Sequence, residues 1–254
     1  MKIALFGYGK MGKEIESVAL QQNHTIALKI DLYNAESFSK DELMKCDVSV
    51  EFSTPHSAVV NILKCFEANI PIVVGTTGWY DKLEEIKKIC TEKDQCLFYS
   101  SNFSIGVNIF FEVNKQLSEI MNNYPDYQVS VEEIHHIHKS DAPSGTAISL
   151  ANQIICNIKR KRKWKNILSF NSHLQKKENT DCVQFLPDEI GIISKRENEV
   201  VGTHAIKYHS AIDDIEIIHK AHNRKGFAIG AVIAAEFVKG KKGIFTMDNL
   251  MNLE

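Results

Sequence analysis

The chain has 254 residues, of which 44% are hydrophobic and 24% are charged, and its formal net charge is −2. A chain of this length can bury a core in one large or two modest domains. The near-neutral charge gives no general attraction to nucleic acid or to a membrane surface, and no apolar run reaches the ~20 residues of a membrane span. The cysteines lack paired spacing and no signal-peptide pattern opens the chain. We therefore expect a cytoplasmic protein with reduced thiols, without nucleic-acid or membrane partners.

The first residues carry the pattern of a dinucleotide-binding turn. A short apolar strand and an amphipathic helix flank a GxGxxG segment, which consists of Gly7, Tyr8, Gly9, Lys10, Met11 and Gly12. In this pattern the first glycine permits a tight turn, the second lets the backbone approach a pyrophosphate, and the third lets helix pack on strand. A second strand, residues 25–30, ends at Asp31, whose carboxylate can hold the ribose hydroxyls. We predict that these residues bind a dinucleotide; the alternative is a glycine turn that packs a helix without a cofactor.

Asp31 also bears on which nucleotide is used. Its carboxylate would repel a 2′-phosphate, and the next residues, Leu32, Tyr33 and Asn34, include no arginine to bind one. We predict a preference for NADH, although Lys10 or Lys29 could still support NADPH.

Three further strand patterns, residues 47–53, 71–74 and 96–99, alternate with helix patterns at residues 57–69 and 83–90. Small or polar loops follow two of these strands, one with Gly75, Thr76, Thr77 and Gly78 and the other with Ser100, Ser101, Asn102 and Phe103. Ligands of open α/β sheets bind at the carboxyl ends of the strands. We therefore predict cofactor contacts at residues 75–77 and 100–103, against the alternative of ordinary strand-to-helix turns.

The middle of the chain has a cluster of titratable residues between a strand (residues 127–134) and a helix that opens near Ser144. The cluster contains His135, His136, His138 and Lys139. Pro143 suits the first turn of the helix, and Asp141 or Ser144 can cap it. The amides of Ser144, Gly145 and Thr146 would form an anion site at the positive end of the helix dipole. This combination suits a carboxylate-bearing substrate that must also receive a proton.

No metal site is predicted for the histidines. The sequence has no HExxH or CxxC motif, and His135 and His136 would point to opposite faces of a strand. A histidine metal-binding module remains an alternative that stoichiometric zinc in the purified protein would reveal.

The remaining patterns suggest a second sheet. Residues 106–121 have the pattern of a helix. The basic run at residues 159–163 is interpreted as the solvated end of the helix that starts at Ser144. Residues 167–179 read as a loop. Residues 190–195, 199–208 and 214–221 alternate as antiparallel strands do, with a turn at Asn198. Residues 230–238 form a small-residue helix suited to packing on the nucleotide domain. His204 and His219 are taken as structural strand residues.

The segment EIHHIHKSDAPSGTA, residues 133–147, resembles the signature of the 4-hydroxy-tetrahydrodipicolinate reductase family. The resemblance extends along the whole chain and includes the residue 75–78 loop, the segment ending at His204 and the segment His219-Lys220-Ala221. Two departures are the serines at positions 100 and 101, where alanines are usual, and the absence of a basic residue after Asp31.

The resemblance implies an enzyme of the diaminopimelate route to lysine that reduces a conjugated cyclic imine dicarboxylate with NADH or NADPH. It implies that His135 and Lys139 are the acid/base and proton donor, and that His136, Ser144, Gly145 and Thr146 bind the substrate. It also implies a homotetramer built through the second sheet.

The expected fold is α/β, a Rossmann-type doubly wound parallel sheet with an added α+β substrate and oligomerisation domain that has an open mixed sheet. We expect residues 1–104 and 223–254 to form the dinucleotide-binding domain and residues 105–222 the second domain. The alternatives are another dehydrogenase of this architecture, such as an aspartate or homoserine dehydrogenase, and a nucleotide-sensing regulator without catalysis.

Overall fold

A computed structural model describes residues 1–31, 33–34, 38–171 and 186–253. The chain divides into two compact units, residues 1–108 with 224–254 and residues 109–223. In chain order the strands are β1 Lys2–Phe6, β2 Thr25–Ile30, β3 Val48–Glu51, β4 Ile72–Val74, β5 Cys96–Tyr99, β6 Gln128–His135, β7 Lys163–Asn171, β8 Glu189–Arg196, β9 Gly202–His209, β10 Asp214–Ala221 and β11 Gly243–Phe245. The helices are α1 Lys10–Gln21, α2 Lys40–Leu43, α3 Pro55–Glu67, α4 Leu83–Glu92, α5 Ile105–Met121, α6 Gly145–Asn157, α7 Lys225–Val238 and α8 Met247–Met251, with a 3₁₀ turn at Tyr80–Lys82.

The first unit contains a six-stranded sheet in the order β11-β5-β4-β3-β1-β2, and all of its neighbouring strands are parallel. Separate apolar clusters cover its two faces, one with residues of α1 and α7 and the other with residues of α3 and α4. The central strand β3 is buried along its full length, as expected for a parallel strand with helices on both sides. The predicted Rossmann-type architecture is confirmed.

Helix α7 packs closely on this unit, as its small residues predicted. A Cβ atom built on Gly230 would lie 1.8 Å from the carbonyl oxygen of Phe103. Only glycine permits that approach of helix to backbone. Residues 224–254 thereby complete the core that residues 1–108 begin.

The second unit contains a five-stranded sheet in the order β10-β9-β6-β8-β7. β6 pairs antiparallel with β9 and parallel with β8, so the sheet is mixed, as predicted. Its apolar core includes Val131, Ile192 and Ile206 from three neighbouring strands, together with Leu150 and Ile154 of α6.

The predicted antiparallel pairing of residues 190–195 with residues 199–208 was wrong. β8 and β9 are not neighbours because β6 lies between them, and β8 runs parallel to β6. Asn198 does have a positive φ of 39°, but it lies in a connection that passes over β6. Alternation of apolar residues fixes which side chains face the core, and it carries no information on strand direction.

The interpretation of residues 159–163 as a solvated helix end was wrong about the helix and about two of the side chains, whereas Lys159, Arg162 and Lys163 are exposed. Helix α6 ends at Asn157, and Lys161 is only 3% exposed, with its ammonium group donating to the carbonyl of Glu189 at 2.8 Å. The guanidinium of Arg160 donates to carbonyls at the end of α5, including that of Met121 at 3.3 Å. These side chains satisfy orphan carbonyls instead of facing solvent.

The predicted loop at residues 167–179 is a strand over residues 167–171, since they belong to β7 and pair with β8. Residues 172–179 lie outside the described part of the chain. Pro143 precedes the cap of α6 and does not lie in its first turn, because the capping residue is Ser144. The five cysteines within the described residues are free. Among the described residues, no helix combines the length and apolar character needed to cross a membrane.

Candidate active site

A cleft of about 360 Å³ opens at the carboxyl ends of β1, β2 and β3 in the first unit. Gly7, Tyr8, Gly9 and Asp31 line it, in agreement with the dinucleotide pattern of the sequence. Residues of the segment after β3 also line it, among them Ser53 and Asn61, which the sequence did not assign to the cofactor site.

The glycines of the turn have different surroundings. Gly7 has a φ of +90°, and a Cβ atom there would lie 2.1 Å from the carbonyl oxygen of Phe52. A Cβ on Gly12 would lie 2.2 Å from the carbonyl oxygen of Gly7. Gly9, the N-cap of α1, has no atom within 4 Å of such a Cβ. The structure therefore keeps open space in front of Gly9, at the helix end that favours anions, and this geometry fits a pyrophosphate group.

Asp31 lies at the other side of this cleft. Its carboxylate accepts a hydrogen bond from the backbone N–H of Tyr33 at 2.8 Å. Nearby, the ammonium of Lys29 lies 2.6 Å from a carboxylate oxygen of Glu16 and 3.3 Å from the hydroxyl of Tyr8. Hydrogen bonds from Lys29 and Tyr8 lower the pKa of Glu16. Lys29 is therefore paired with Glu16, and Asp31 is the acidic residue that lines the cleft. Lys10 and Met11 lie at the start of α1, where Lys10 is exposed.

The loop after β4 is tied to the segment after β3. Thr76 is buried, and its hydroxyl accepts a hydrogen bond from the backbone N–H of Ser53 at 2.8 Å. A Cβ on Gly75 would lie 2.1 Å from the ring of Phe52, so a larger residue there would displace this ring, whereas Thr77 is exposed.

The loop after β5 is held by its own polar groups. The hydroxyl of Ser100 donates to the carbonyl of Asn102 at 2.8 Å, and the side-chain oxygen of Asn102 accepts from the N–H of Ser104 at 2.9 Å. Ser101 is exposed. Phe103 is 2% exposed, so its ring belongs to the core.

A fully buried carboxyl group contacts the segment after β3 and the loop after β4. Glu51, at the end of β3, accepts hydrogen bonds from the hydroxyl and N–H of Ser53 and from the side-chain amide of Asn61 at 3.4 Å. It is 0% exposed, and burial raises its pKa despite these bonds and one with Thr76. The thiol of Cys65 also faces it, but burial raises the pKa of that thiol to about 12, so the thiol stays neutral.

A pH-dependent stability follows from Glu51. Its raised pKa means that the folded protein holds this proton more tightly than the unfolded chain does. The stabilisation is therefore present below the usual glutamate pKa of 4.5 and is lost as the pH rises through the folded-state value. We expect the stability difference between wild type and Glu51→Gln to fall from acidic toward alkaline pH, as measured by urea unfolding. The exposed Glu67→Gln is the control, and an equally flat difference for both variants would contradict the prediction.

In the second unit, the inward face of the sheet changes from apolar to polar along β6. The alternate residues Val131, Glu133 and His135 face the interior and are 0%, 0% and 8% exposed. Glu133 pairs with His204 on β9 and with Ser194 on β8. Three neighbouring strands therefore present one buried polar row beyond the apolar core.

Glu133 is the centre of this row. One of its carboxylate oxygens contacts Nδ1 of His135, and the other accepts from both terminal nitrogens of Arg196 at 3.1 Å and from the N–H of Ser144 at 3.3 Å. Burial alone would raise the pKa of Glu133, but hydrogen bonds from His135 and Ser194 and the charge of Arg196 lower it to about 2. Glu133 is therefore a charged carboxylate with a charged or polar neighbour at each of its oxygens.

Ser144 caps helix α6. Its hydroxyl accepts from the N–H of Ala147 at 3.2 Å and lies 3.0 Å from Nε2 of His204. Burial lowers the pKa of His204 to about 3, so this imidazole is neutral at neutral pH. A Cβ on Gly145 would meet no atom within 4 Å. The hydrogen-bonding groups of Ser144 are therefore occupied within the unit, while the helix end at Gly145 and Thr146 borders open space.

Lys139 lies in the turn between β6 and α6. Its N–H donates to the carbonyl of His136 at 3.1 Å, and its ammonium group binds both carboxylate oxygens of Asp141 at 2.7 and 2.8 Å. The hydrogen bond from Lys139 lowers the pKa of Asp141. The rings of His136 and His138 lie 6.1 Å apart, and His138 reaches Glu199 at 3.5 Å.

Glu133, His135 and His204 each place a possible ligand atom within 4.8 Å of the others, close enough to share one metal ion. Arg196 already uses one oxygen of this carboxylate, and His135 contacts the other. A cation would have to compete with a buried guanidinium for the same charge. We therefore interpret the three residues as members of a hydrogen-bonded network.

Comparison with known proteins identifies the family. The family model for the N-terminus of dihydrodipicolinate reductase matches residues 1–103, and the model for its C-terminus matches residues 106–251. A 4-hydroxy-tetrahydrodipicolinate reductase from Christiangramia forsetii is 44% identical over 252 residues, which cover 99% of this chain and 98% of that protein. The chain belongs to the dihydrodipicolinate reductase family. Residues 1–103 are accordingly the N-terminal, nucleotide-binding domain of that family.

Other members of the dihydrodipicolinate reductase family are more distant. The 4-hydroxy-tetrahydrodipicolinate reductase of Neisseria gonorrhoeae is 30% identical over 94% of this chain and 84% of its own length. A dipicolinate-bound dihydrodipicolinate reductase from Paenisporosarcina sp. TG-14 has the same fold, with a TM-score of 0.73, 23% identity and 97% of each chain covered. A dehydrogenase from Clostridium difficile is similar in fold only, with a TM-score of 0.51, 9% identity and coverage of 100% of this chain and 97% of that one.

In this member of the reductase family, the involvement of Glu133 and Arg196 in the site was not predicted from the sequence, nor was the contact of His204 with Ser144. One signal was available for Glu133, because alternation along β6 places it on the same inward face as Val131, where an acid needs a partner. Arg196 could not be recognised, since its position depends on the parallel pairing of β8 with β6.

Proposed function

We propose that this protein reduces 4-hydroxy-tetrahydrodipicolinate to tetrahydrodipicolinate with a reduced pyridine nucleotide, in the diaminopimelate route to lysine. The observation that carries the proposal is the position of Lys139 and His135 at the entrance to α6, where Gly145 borders open space. The 44% identical relative bears the name of this activity. The structure of the Paenisporosarcina relative has dipicolinate bound, and this ligand is a planar dicarboxylate, as the proposed substrate is a dicarboxylate.

The chemistry needs a hydride, a proton and a carboxylate site. The substrate loses water to give a conjugated imine, and a reduced nicotinamide supplies the hydride to the ring when it is bound. The enamine carbon that results must then receive a proton. Lys139 carries a compact ammonium group that can attract a dianion and deliver this proton, and His135 is the partner acid/base.

The N–H groups of Gly145 and Thr146 and the hydroxyl of Thr146 hold one carboxylate at the positive end of α6. Ser144 supports this site as the cap of the helix, and His136 contributes to substrate binding. Asp141 holds the ammonium of Lys139 in the absence of substrate; a substrate carboxylate would replace it as the partner of that charge.

The dinucleotide is held by the first unit, with the pyrophosphate against Gly9 and the ribose hydroxyls on Asp31. Residues 75–77 and 100–103, at the carboxyl ends of β4 and β5, contact the rest of the cofactor. A hydrogen bond of Glu51 with Thr76 holds the first of these loops, and one from the hydroxyl of Ser100 to the carbonyl of Asn102 holds the second.

The direct test is loss of NADH absorbance with substrate generated by the preceding enzyme, together with identification of tetrahydrodipicolinate by mass spectrometry. Aspartate and homoserine-type substrates serve as controls for the other dehydrogenases of this architecture. NADH oxidation with one of those substrates, and none with 4-hydroxy-tetrahydrodipicolinate, would reject the proposal. Binding of NADH without turnover of any of them would instead favour a nucleotide sensor.

We expect NADH to be preferred over NADPH. Asp31 presents a carboxylate to the cleft, and Lys29, which could otherwise bind a 2′-phosphate, is paired with Glu16. The kcat/KM for NADH should exceed that for NADPH at least about tenfold, which corresponds to about 1.4 kcal/mol. Glu16→Gln should narrow this ratio by releasing Lys29, whereas Glu14→Gln on the same helix should leave it unchanged. Comparable kcat/KM values for the two nucleotides would contradict the prediction.

The protein is expected to act as a homotetramer formed through the mixed sheet. Ile218 of β10 is 61% exposed on the outer face and pairs with Ala205 of β9, which leaves apolar surface for a second subunit. Light scattering should give four times the mass of one chain, and Ile218→Glu should lower it. A wild-type protein with the mass of a single chain would reject the tetramer.

A further inference from the structure

The buried ion pair between Glu133 and Arg196 reaches every group of the proposed acid/base site. Glu133 lies at 0% exposure and Arg196 at 5%, and both terminal nitrogens of the guanidinium donate to one carboxylate oxygen at 3.1 Å. A pair that is this deeply buried is weak evidence for stability, because desolvation of both charges offsets their attraction. Its contacts with neighbouring groups indicate what it does.

Arg196 fixes the backbone that carries the proton donor. Besides Glu133, it donates through Nε to the carbonyl of Lys139 at 3.3 Å and through Nη2 to the carbonyl of Asp141 at 2.6 Å. Residues 136–144 form no helix or strand, so these bonds from a buried, planar guanidinium hold the turn in place. A lysine at position 196 could not make them together, since its ammonium lacks the fork geometry.

Glu133 fixes the acid/base histidine and the helix end. Its second carboxylate oxygen contacts Nδ1 of His135, so a proton on Nδ1 is the arrangement that this contact favours, and Nε2 is then the nitrogen left for chemistry. A Cβ atom on Gly202 would lie 3.2 Å from that Nε2, so a glycine there leaves the nitrogen uncrowded. The same carboxylate accepts the N–H of Ser144 at 3.3 Å, which sets the start of α6.

We propose that Glu133 and Arg196 are positioning residues, which together hold the His135 ring, the Lys139 turn and the N-terminus of α6 in the geometry for proton transfer. This inference rests on the proposed function, because it assigns a role to residues that act through His135 and Lys139. The pair itself does not exchange a proton with substrate.

The same two strands provide a matched control. Glu132 and Lys195 are the chain neighbours of Glu133 and Arg196, and they form an ion pair of 2.7 Å on the opposite face, where they are 34% and 33% exposed. Variants of this pair change charged side chains on the same strands, on the face away from the buried network.

The experiment compares Glu133→Gln and Arg196→Lys with Glu132→Gln and Lys195→Met in the full-length protein. For the first two we expect kcat to fall by on the order of 10²-fold, with the NADH dissociation constant unchanged. The control variants should keep kcat within about twofold of the wild type, a difference of about 0.4 kcal/mol. Circular dichroism and thermal unfolding verify that each variant is folded.

A spectroscopic measurement distinguishes the role of Glu133 from that of Arg196, and it does not require catalytic turnover. In ¹⁵N-labelled protein, with the His135 signals assigned by a His135→Asn variant, Nδ1 should carry the proton in the wild type and in Arg196→Lys. In Glu133→Gln the proton should move to Nε2 in a measurable fraction of molecules. If the wild type does not oxidise NADH with the substrate, the proposed function fails, and the tautomer result still tests the contact.

The proposal is overturned if the two folded variants keep near-full kcat, or if the control variants lose as much. If one variant does not fold, the other decides the outcome by kcat and tautomer. If neither folds, the pair is needed for the fold alone, and its positioning role is rejected.

Discussion

Replacing Lys139 by alanine is expected to lower kcat by about 10²–10⁴-fold, the range typical for loss of a positioned proton donor. Lys139 lies in the turn before α6, its side chain is 21% exposed, and its ammonium group has Asp141 as its partner in the free protein. The alanine variant leaves the first unit intact, so NADH should bind with unchanged affinity. Steady-state rates and NADH titration by fluorescence measure the two effects.

A suitable control is Lys207→Ala, which removes a lysine that pairs with Asp214 on the sheet at 40% exposure. Its kcat should stay close to that of the wild type. His135→Ala is expected to act in the same direction as Lys139→Ala. If either site variant kept near-full kcat, the role assigned to that residue would be withdrawn.

The second large effect is expected at Gly9. A methyl group there meets no atom of the protein within 4 Å, so Gly9→Ala should fold with an unchanged melting temperature. The methyl group would occupy the space in front of α1 that the pyrophosphate needs. We expect the NADH dissociation constant to rise at least tenfold, or about 1.4 kcal/mol, as measured by calorimetry.

Gly7→Ala provides the contrast within the same turn. Its Cβ would lie 2.1 Å from the carbonyl of Phe52 at a φ of +90°, so strain and overpacking should destabilise the fold by roughly 2–5 kcal/mol. Unchanged NADH affinity in a folded Gly9→Ala protein would show that the nucleotide does not approach this turn. Equal melting temperatures for the two variants would contradict the packing argument.

The sequence predicted local features well where a short segment carries its own physical reason. The turn from Gly7 to Gly12 is such a case, because the positive φ of Gly7 and the close approach of Gly12 to its carbonyl are local, although Phe52, which also approaches Gly7, follows β3. The cap at Ser144 is another, since a serine one residue before the helix can bond the N–H of Ala147 wherever the helix lies. The Rossmann-type sheet followed from alternating strand and helix patterns.

Predictions failed where the answer depended on which strands are neighbours. Residues 190–195 alternate as an antiparallel strand would, yet they lie parallel to β6. Arg160 and Lys161 looked like a solvated basic run, but they bond to carbonyls brought near by α5 and β8. The charge of a side chain is visible in the sequence, whereas its acceptors come from distant segments.

By itself, the sequence determined the kind of fold, because hydrophobic period, glycine turns and helix caps act over a few residues. The acid/base and anion-binding residues are predictions that its resemblance to a family supplied. The tertiary structure decided how the titratable groups are held. Glu133 lies on β6, which is distant in sequence from β8 and β9, the strands of Arg196 and His204, and only the order β9-β6-β8 brings the three side chains together. Burial lowers the pKa of His204 and keeps this imidazole neutral, whereas hydrogen bonds and the charge of Arg196 outweigh burial at Glu133 and keep that carboxylate charged. Both effects depend on the assembled sheet.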